Sequence, residues 1–451
     1  MTRVTRVHDV IGVGLGPFNL GLAALLEPTG LDAVFFEAGP AFSWHPGLML
    51  DGVALQVPFL ADLVTLADPA SRFSFLNYLH AHDRLYRFYF YERFHVPRRE
   101  YEAYCRWVAE QLPGCRFSQR VLDVRPDGDR WVVRTHHAGG DEEHLARAVV
   151  VGVGTRPVLP GSARPHAGPD VFHSAAYLRH RARVLDAGRV TVIGSGQSAG
   201  EIVADLLTNA PDARIDWFTR SAGFLPMEYS KLGLEHFSPE YIDWFHGLPE
   251  GTRDWLRAGQ DLLYKGLSAT TSARIYDTLY ERSATGDEPD VHYRAWCELR
   301  SVAPLEPTSR RFHVASARRG DGPRWRLQLR HVVEERDFTH DTDVLVLATG
   351  YEPAPLPLAD PDVIERDEAG RPVIERDYRV RLRGAARSTL FVQHADLHSH
   401  GIGAPDLGLG AHRNACIVNA LCGREVYRVP SRTVFQRFGA PSFAATTNGR
   451  P

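Results

Sequence analysis

The feature that most restricts what this chain can fold into is a strand, a glycine turn and a helix, occurring twice. The first run, HDVIGVGLGPFNLGLAALL, begins at His8, and the second, VTVIGSGQSAGEIVADLL, follows Arg189. In each, a β-branched run predicts a buried strand, glycines predict a tight turn, and the apolar residues beyond recur at helical spacing. The first unit predicts a strand over 8–12, a helix over 18–26 and a second strand over 33–37. Gly12, Gly14 and Gly16 let the backbone turn closely around a pyrophosphate, whose charge meets the N-terminus of the following helix. Pro17 stands where the usual fingerprint has its third glycine. Glu37 ends the second strand, where an acid hydrogen-bonds a ribose hydroxyl.

In the second unit Gly194 and Gly196 lead into Gln197, Ser198 and Ala199, and the next strand, IDWFTR, ends at Thr219 and Arg220. A carboxylate there would repel a 2′-phosphate, whereas a guanidinium grips it, so NADPH is favoured over NADH. Two dinucleotide sites imply that hydride passes from a nicotinamide to a flavin, FAD. Disulfide reduction would then need a cysteine pair beside the flavin. Cys105, Cys115, Cys297, Cys416 and Cys422 are scattered without C-x-x-C or zinc-ligand spacing, which leaves oxygen as the acceptor and points to a reducing compartment.

A chain of 451 residues exceeds one ordinary core. RAVVVGVGTRP (147–157) and DTDVLVLATGYEP (341–353) share one form and read as strands that carry the chain across a domain boundary. The expected fold is therefore α/β, with two doubly wound, Rossmann-like dinucleotide-binding domains. Residues 1–165 and 343–451 form the FAD domain, interrupted by an NADPH domain at 166–342. Residues 224–282, broken by Pro226, Pro239 and Pro249, predict a small, mainly helical insertion for substrate binding or lid closure. The closing stretch PSFAATTNGRP lacks periodicity and predicts a mobile tail. Lys+Arg 52 against Asp+Glu 55 gives net charge −3 and no basic footprint for nucleic acid. No apolar run reaches the about 18 residues of a membrane span. These features predict a soluble cytoplasmic protein acting on a small molecule; whether it forms a homodimer or homotetramer is not legible. HADLHSH supplies His394, His398 and His400 but no matching fourth ligand, so no metal site is expected.

The stretches GVGLGPFNL, FSWHPG, LQVPFLADLVTLADPASRFSFLNYL, GSGQSAGE, LATGY and HGIGAPDLGL resemble, in order and spacing, the N-hydroxylating flavin monooxygenases of siderophore biosynthesis. That family contains lysine, ornithine and diamine hydroxylases, and the resemblance spans nearly the whole chain. It implies that FAD lies on Gly12, Gly14, Gly16, Pro17 and Glu37. It places Trp44, His45 and Gln56 near the isoalloxazine, with Gln56 positioning flavin and substrate, and has Thr349, Gly350 and Leu407 closing the flavin site. It places NADPH on Gly194, Gly196, Gln197, Ser198 and Arg220, with Arg98 nearby. It also implies the chemistry: reduced flavin and O₂ give a C4a-hydroperoxide, and retained NADP⁺ helps exclude water. The substrate amine attacks as the free base, so a closed apolar pocket must lower a pKa of about 10.4. No protein nucleophile is implied.

The amino-acid hydroxylases of the family hold the substrate carboxylate partly with a lysine in a segment resembling FLKDL. This chain reads FLADL, with Ala61 at that position, and Leu234 stands where the ornithine enzymes have an asparagine. A buried carboxylate without a cation loses several kcal/mol to desolvation, so both departures point away from lysine and ornithine. The likeness is greatest to desferrioxamine-type hydroxylases of cadaverine or putrescine. Glu228 and Glu235 are candidates to receive a diamine's second ammonium, and Leu409 to line its pocket. Three alternatives stay open: an amino-acid N-hydroxylase of lysine or ornithine, another class B flavin monooxygenase, and a non-catalytic flavin-binding redox module. Against the second, the segment VFHSAAYL lacks the glycine of the F-x-G-x-x-x-H pattern.

Overall fold

A computed structural model describes residues 6–284, 286, 288–305, 324–384 and 388–441; residues 442–451, most of the expected tail, lie outside it. Two sheets organise the chain. In the first, Val7–Val13 lies between Ala33–Phe36 and Gly140–Val151, all parallel, and Thr389–Val392 pairs with the end of Gly140–Val151. The antiparallel strands Arg120–Asp127 and Arg130–His137 extend it. The second sheet is wholly parallel, in the order Val291–Arg294, Arg214–Phe218, Arg189–Ile193, Val344–Leu347 and Val171–His173. The central strands of both sheets are buried β-branched runs, as parallel sheets covered on both faces require: Val10, Ile11, Val149, Val150, Val190 and Val192 are all fully buried. Helices Pro17–Leu26 and Gln197–Asn209 follow the two glycine turns.

One expectation needs correction. A boundary at 343 assigns Val344–Leu347 to the first domain, but that strand is enclosed between Arg189–Ile193 and Val171–His173 in the second sheet. The two similar runs, 147–157 and 341–353, are each the last strand of their own sheet before a crossing. Their extensions, Thr155–Pro157 and Tyr351–Pro353, then pair antiparallel as a two-stranded ribbon between the halves. The chain touches the first sheet again at Leu358, which bridges to Val124, and adds a strand to it at Thr389–Val392.

The insertion is helical, as expected: Lys231–Leu234, Pro239–His246, Glu250–Gly259, Asp261–Tyr264 and Ala269–Ser283. It is fastened to both halves. Leu267 and Ile275 belong to the core of the second half, and Gly200 allows that approach, since a Cβ there would lie 2.3 Å from the Leu267 side chain. Tyr241 and Phe245 pack instead on Ile402 of the C-terminal part. Among the described residues no helix is long and apolar enough to cross a membrane.

The halves are joined by a buried ion pair. Arg98, at the start of helix Arg98–Gln111, donates to both carboxylate oxygens of Glu201 at 3.0 and 2.6 Å and to the Leu48 carbonyl at 3.2 Å. Both side chains are at most one-tenth exposed. Removing one member of such a pair strands the other charge in low dielectric. Arg98→Met is expected to cost about 3–5 kcal/mol of stability, read in denaturant unfolding, and Arg98→Met combined with Glu201→Leu to recover most of it.

Candidate active site

The three glycines of the first turn serve different needs. A Cβ on Gly12 would sit 2.0 Å from the Phe35 ring, and one on Gly14, whose φ is +81°, would sit 2.7 Å from the Gly152 carbonyl oxygen. These two let adjoining strand ends close together. Gly16 has nothing within 4 Å of its Cβ position, so the space before the next helix is open. That helix has no side-chain cap, and Pro17 at its first turn has no N–H to satisfy. Glu37 Oε2 accepts from Leu15 N at 3.0 Å and Oε1 from Gly39 N at 2.7 Å, which sets the acid beside the turn.

Sequence reasoning missed the network beneath this turn. The buried Asn19 donates to the Gly14 carbonyl at 2.7 Å, and its Oδ1 accepts from Gln393 Nε2 at 3.1 Å. Gln393 donates also to Asn414 Oδ1 at 2.9 Å, and Asn414 donates to the Phe18 carbonyl at 2.9 Å. The turn is thereby bound to the returning strand and to helix Gly410–Cys422. The available signal was one asparagine inside the otherwise apolar run PFNLGLAALL.

Trp44 is half-buried against Tyr101, with ring centroids 5.2 Å apart. His45 adopts φ +49° and presents an exposed ring 4.8 Å from Trp44 and 6.4 Å from Tyr351. Gln56 carries a buried Oε1 with no hydrogen-bond partner. An orphaned buried amide oxygen costs about 1–3 kcal/mol unless a donor arrives, so it suits the N–H of a heterocyclic ring. Thr349 and Gly350 close the crossing ribbon: Thr349 Oγ1 donates to the Val158 carbonyl at 2.5 Å, and the Gly350 carbonyl accepts from Val158 N at 3.1 Å and lies 3.0 Å from His173 Nε2. Leu407 packs on the first core, and Leu409 is buried.

The second turn repeats the first. Gly194, at φ +133°, brings its backbone against the Ala348 carbonyl, 2.2 Å from a Cβ position, and Gly196 faces open space. Ser198 is half-buried in the first helical turn, and Arg220 is exposed just past the buried Thr219. Two expected cofactor residues have their side chains engaged elsewhere. Gln197 donates to Glu201 and Thr271, both at 2.9 Å, and accepts from Ser268 N at 2.7 Å, so its amide anchors the insertion and only its backbone faces the turn. Arg98 is spent on Glu201.

The expected ammonium acceptors do not converge on a pocket. Glu228 is exposed and holds the Ser230 amide at 2.7 Å; hydrogen bonds from Ser230 keep its carboxyl below the usual range. Glu235 accepts from Phe435 N at 3.1 Å and Gln436 N at 2.7 Å, fastening the C-terminal segment to the insertion. Leu234 is 40% exposed. Ala61, by contrast, is buried close to Gly408, two residues beyond Asp406, a carboxylate that sequence reasoning overlooked. A Cβ at Gly408 would lie 3.8 Å from Ala61 Cβ and 2.8 Å from Asp406 Oδ1. The histidines diverge: His398 Nε2 faces the Pro372 carbonyl at 2.8 Å, His400 Nε2 the Arg376 carbonyl at 3.2 Å, and His394 stacks on Phe18.

Two glycine-turn dinucleotide folds joined by a ribbon define a two-nucleotide flavoprotein oxidoreductase. The sequence pattern of the L-lysine 6-monooxygenase/L-ornithine 5-monooxygenase family matches residues 6–353, and the chain belongs to that family. It is 46% identical over 447 residues to the rhizobactin siderophore biosynthesis protein RhbE of Rhizobium meliloti, covering 96% of this chain and 95% of that one. It is 39% identical to the putrescine N-hydroxylase of Shewanella oneidensis, covering 99% and 86%. Among solved structures it superposes on the FAD-bound cadaverine monooxygenase DfoA of Erwinia amylovora with TM-score 0.89 and 40% identity, covering 97% of this chain and all of that one.

The two kinds of glycine give separable outcomes. Gly14→Ala adds left-handed strain of about 1–2 kcal/mol and a backbone clash, so it should lower the thermal midpoint of the apoprotein and its flavin content alike. Gly16→Val should leave the apoprotein midpoint near that of the parent while reducing FAD retained through gel filtration.

Proposed function

We propose that this enzyme uses FAD, NADPH and O₂ to hydroxylate one amino group of an aliphatic diamine, cadaverine or putrescine, supplying an N-hydroxydiamine for hydroxamate siderophore assembly. The observation that carries the substrate choice is Ala61, a buried methyl at the position that would otherwise offer a cation to an amino-acid carboxylate. Close likeness to proteins named as a putrescine hydroxylase and a cadaverine monooxygenase supports it.

The first glycine turn and Glu37 would hold the FAD pyrophosphate and ribose, and the Gln56 oxygen would accept from the flavin ring. Bound flavin would supply activated oxygen, with NADPH as its reductant. The chain itself then contributes placement and desolvation. Trp44, Leu407 and Leu409 offer apolar surface, which favours the neutral amine over ammonium and so exposes the lone pair that must attack. Arg220 grips the 2′-phosphate of NADPH from the end of its strand. Among the described residues all five cysteines are free thiols, and we place the enzyme in the cytoplasm.

The test is hydroxylamine formation by FAD-loaded protein with NADPH, comparing cadaverine, putrescine, lysine and ornithine. A diamine should be the preferred substrate; faster turnover of an amino acid would overturn the reading. Arg220→Ala should raise KM for NADPH by about 10- to 100-fold, the worth of a charge-assisted contact, and erode the preference over NADH in steady-state assays.

A further inference from the structure

We infer that the free oxygen of the Asp406 carboxylate receives the ammonium at the far end of the diamine, which makes Asp406 the charge filter and length gauge of the site. This rests on the diamine reading above.

Asp406 is held rigidly on three sides and left open on a fourth. Its N–H donates to the Gly403 carbonyl at 3.0 Å, its carbonyl accepts from Leu409 N at 3.2 Å, and Oδ1 accepts from Gly408 N at 2.7 Å, capping the turn Leu407–Leu409. Oδ2 has no hydrogen bond to any described residue, yet it is not sealed among the buried orphaned atoms. The residue is packed around by protein but still partly accessible, as a group lining an internal cleft is. Small residues stand close by: a Cβ on Gly408 would lie 2.8 Å from Oδ1, and the same position is 3.8 Å from the Ala61 methyl.

Among the described residues no cation pairs with Asp406 directly. Arg413, whose charge acts on it, donates to the Ala404 carbonyl, lies 3.2 Å from Asp396 Oδ2, and is flanked by the rings of Phe18 and Tyr378 at 4.7 and 5.2 Å. Burial pushes Asp406 up to about 6, and burial together with the Asp406 charge pushes Tyr229 up to about 12. Both shifts mark a negative charge short of compensation in a low-dielectric place. An ammonium supplies it through a charge-assisted hydrogen bond, whereas the carboxylate of an amino acid would be repelled. The nearby acids are otherwise engaged. Asp62, next to Ala61, is consumed by the amides of Val64, Thr65 and Phe75 and the Thr65 hydroxyl, and Glu235 by the C-terminal segment.

The experiment compares wild type, Asp406→Asn and Asp406→Glu as FAD-loaded proteins of verified flavin content. Calorimetric binding of cadaverine and of n-pentylamine to the oxidised NADP⁺ complex is measured alongside hydroxylamine formation from each. Wild type should strongly prefer cadaverine. Asp406→Asn should weaken cadaverine binding by about 10- to 100-fold and that of the monoamine little, so the preference collapses. Asp406→Glu, which keeps the charge but advances it into the cleft, should move the preference towards putrescine. Binding requires the ionised carboxylate, so kcat/KM for cadaverine should fall by an additional factor of about ten per pH unit below about pH 6 in wild type, and Asp406→Asn should lack that addition. An unchanged cadaverine-to-pentylamine ratio in Asp406→Asn would overturn the assignment with the diamine reading intact. Failure of wild type to hydroxylate any diamine would overturn the reading and the assignment together.

Discussion

The arrangement of both nucleotide sites depends on the buried pairing of Arg98 with Glu201. One end stands on a helix of the first half and the other inside the helix that follows the second glycine turn. Its direct contribution to stability is small, because desolvating two charges offsets most of their attraction. Its demand on geometry is large. Two parallel N–H···O bonds and a third to the Leu48 carbonyl are satisfied together in one relative placement of the halves. Gln197, bonded to the same Glu201 and to Ser268 and Thr271, extends that placement to the insertion.

The insertion and the C-terminal part complete the same enclosure. Glu240 and Glu235 take the backbone amides of residues 433–436, while Arg371 pairs with Glu250, Asp254 and Asp367. The insertion thus bridges the halves. Its position is consistent with a reaction that needs a dry site. The amine reacts only as the free base, and an activated oxygen exposed to water is lost as peroxide.

What the sequence made legible was local. Glycine turns, a strand-ending acid and helical periodicity are imposed within a few residues, and the strand Val7–Val13 and helix Pro17–Leu26 fall within a residue of expectation. The domain boundary was misread because VLVLATG has the same local form as VVVGVGT, and only pairing with Arg189–Ile193 tells which sheet receives it. Arg98 resembled a ligand contact because its partner lies 103 residues away. Asp406 was not legible as a candidate beside Glu228 and Glu235 for a similar reason. An acid in a helical insertion and an acid in a PDLG turn look alike until packing shows that one is exposed, one is bonded to a distant segment, and one caps a turn with a single oxygen engaged.

Oxygenation of the amine must be coupled to oxidation of NADPH if the site is built for a diamine. The decisive measurement counts hydroxylamine formed per NADPH oxidised, with hydrogen peroxide determined in parallel, for cadaverine and for lysine. The structure predicts near-equal yields of hydroxylamine and oxidised NADPH with the diamine, and mostly peroxide with lysine. Equal coupling with lysine, or NADPH oxidation that yields peroxide alone whichever amine is present, would contradict it.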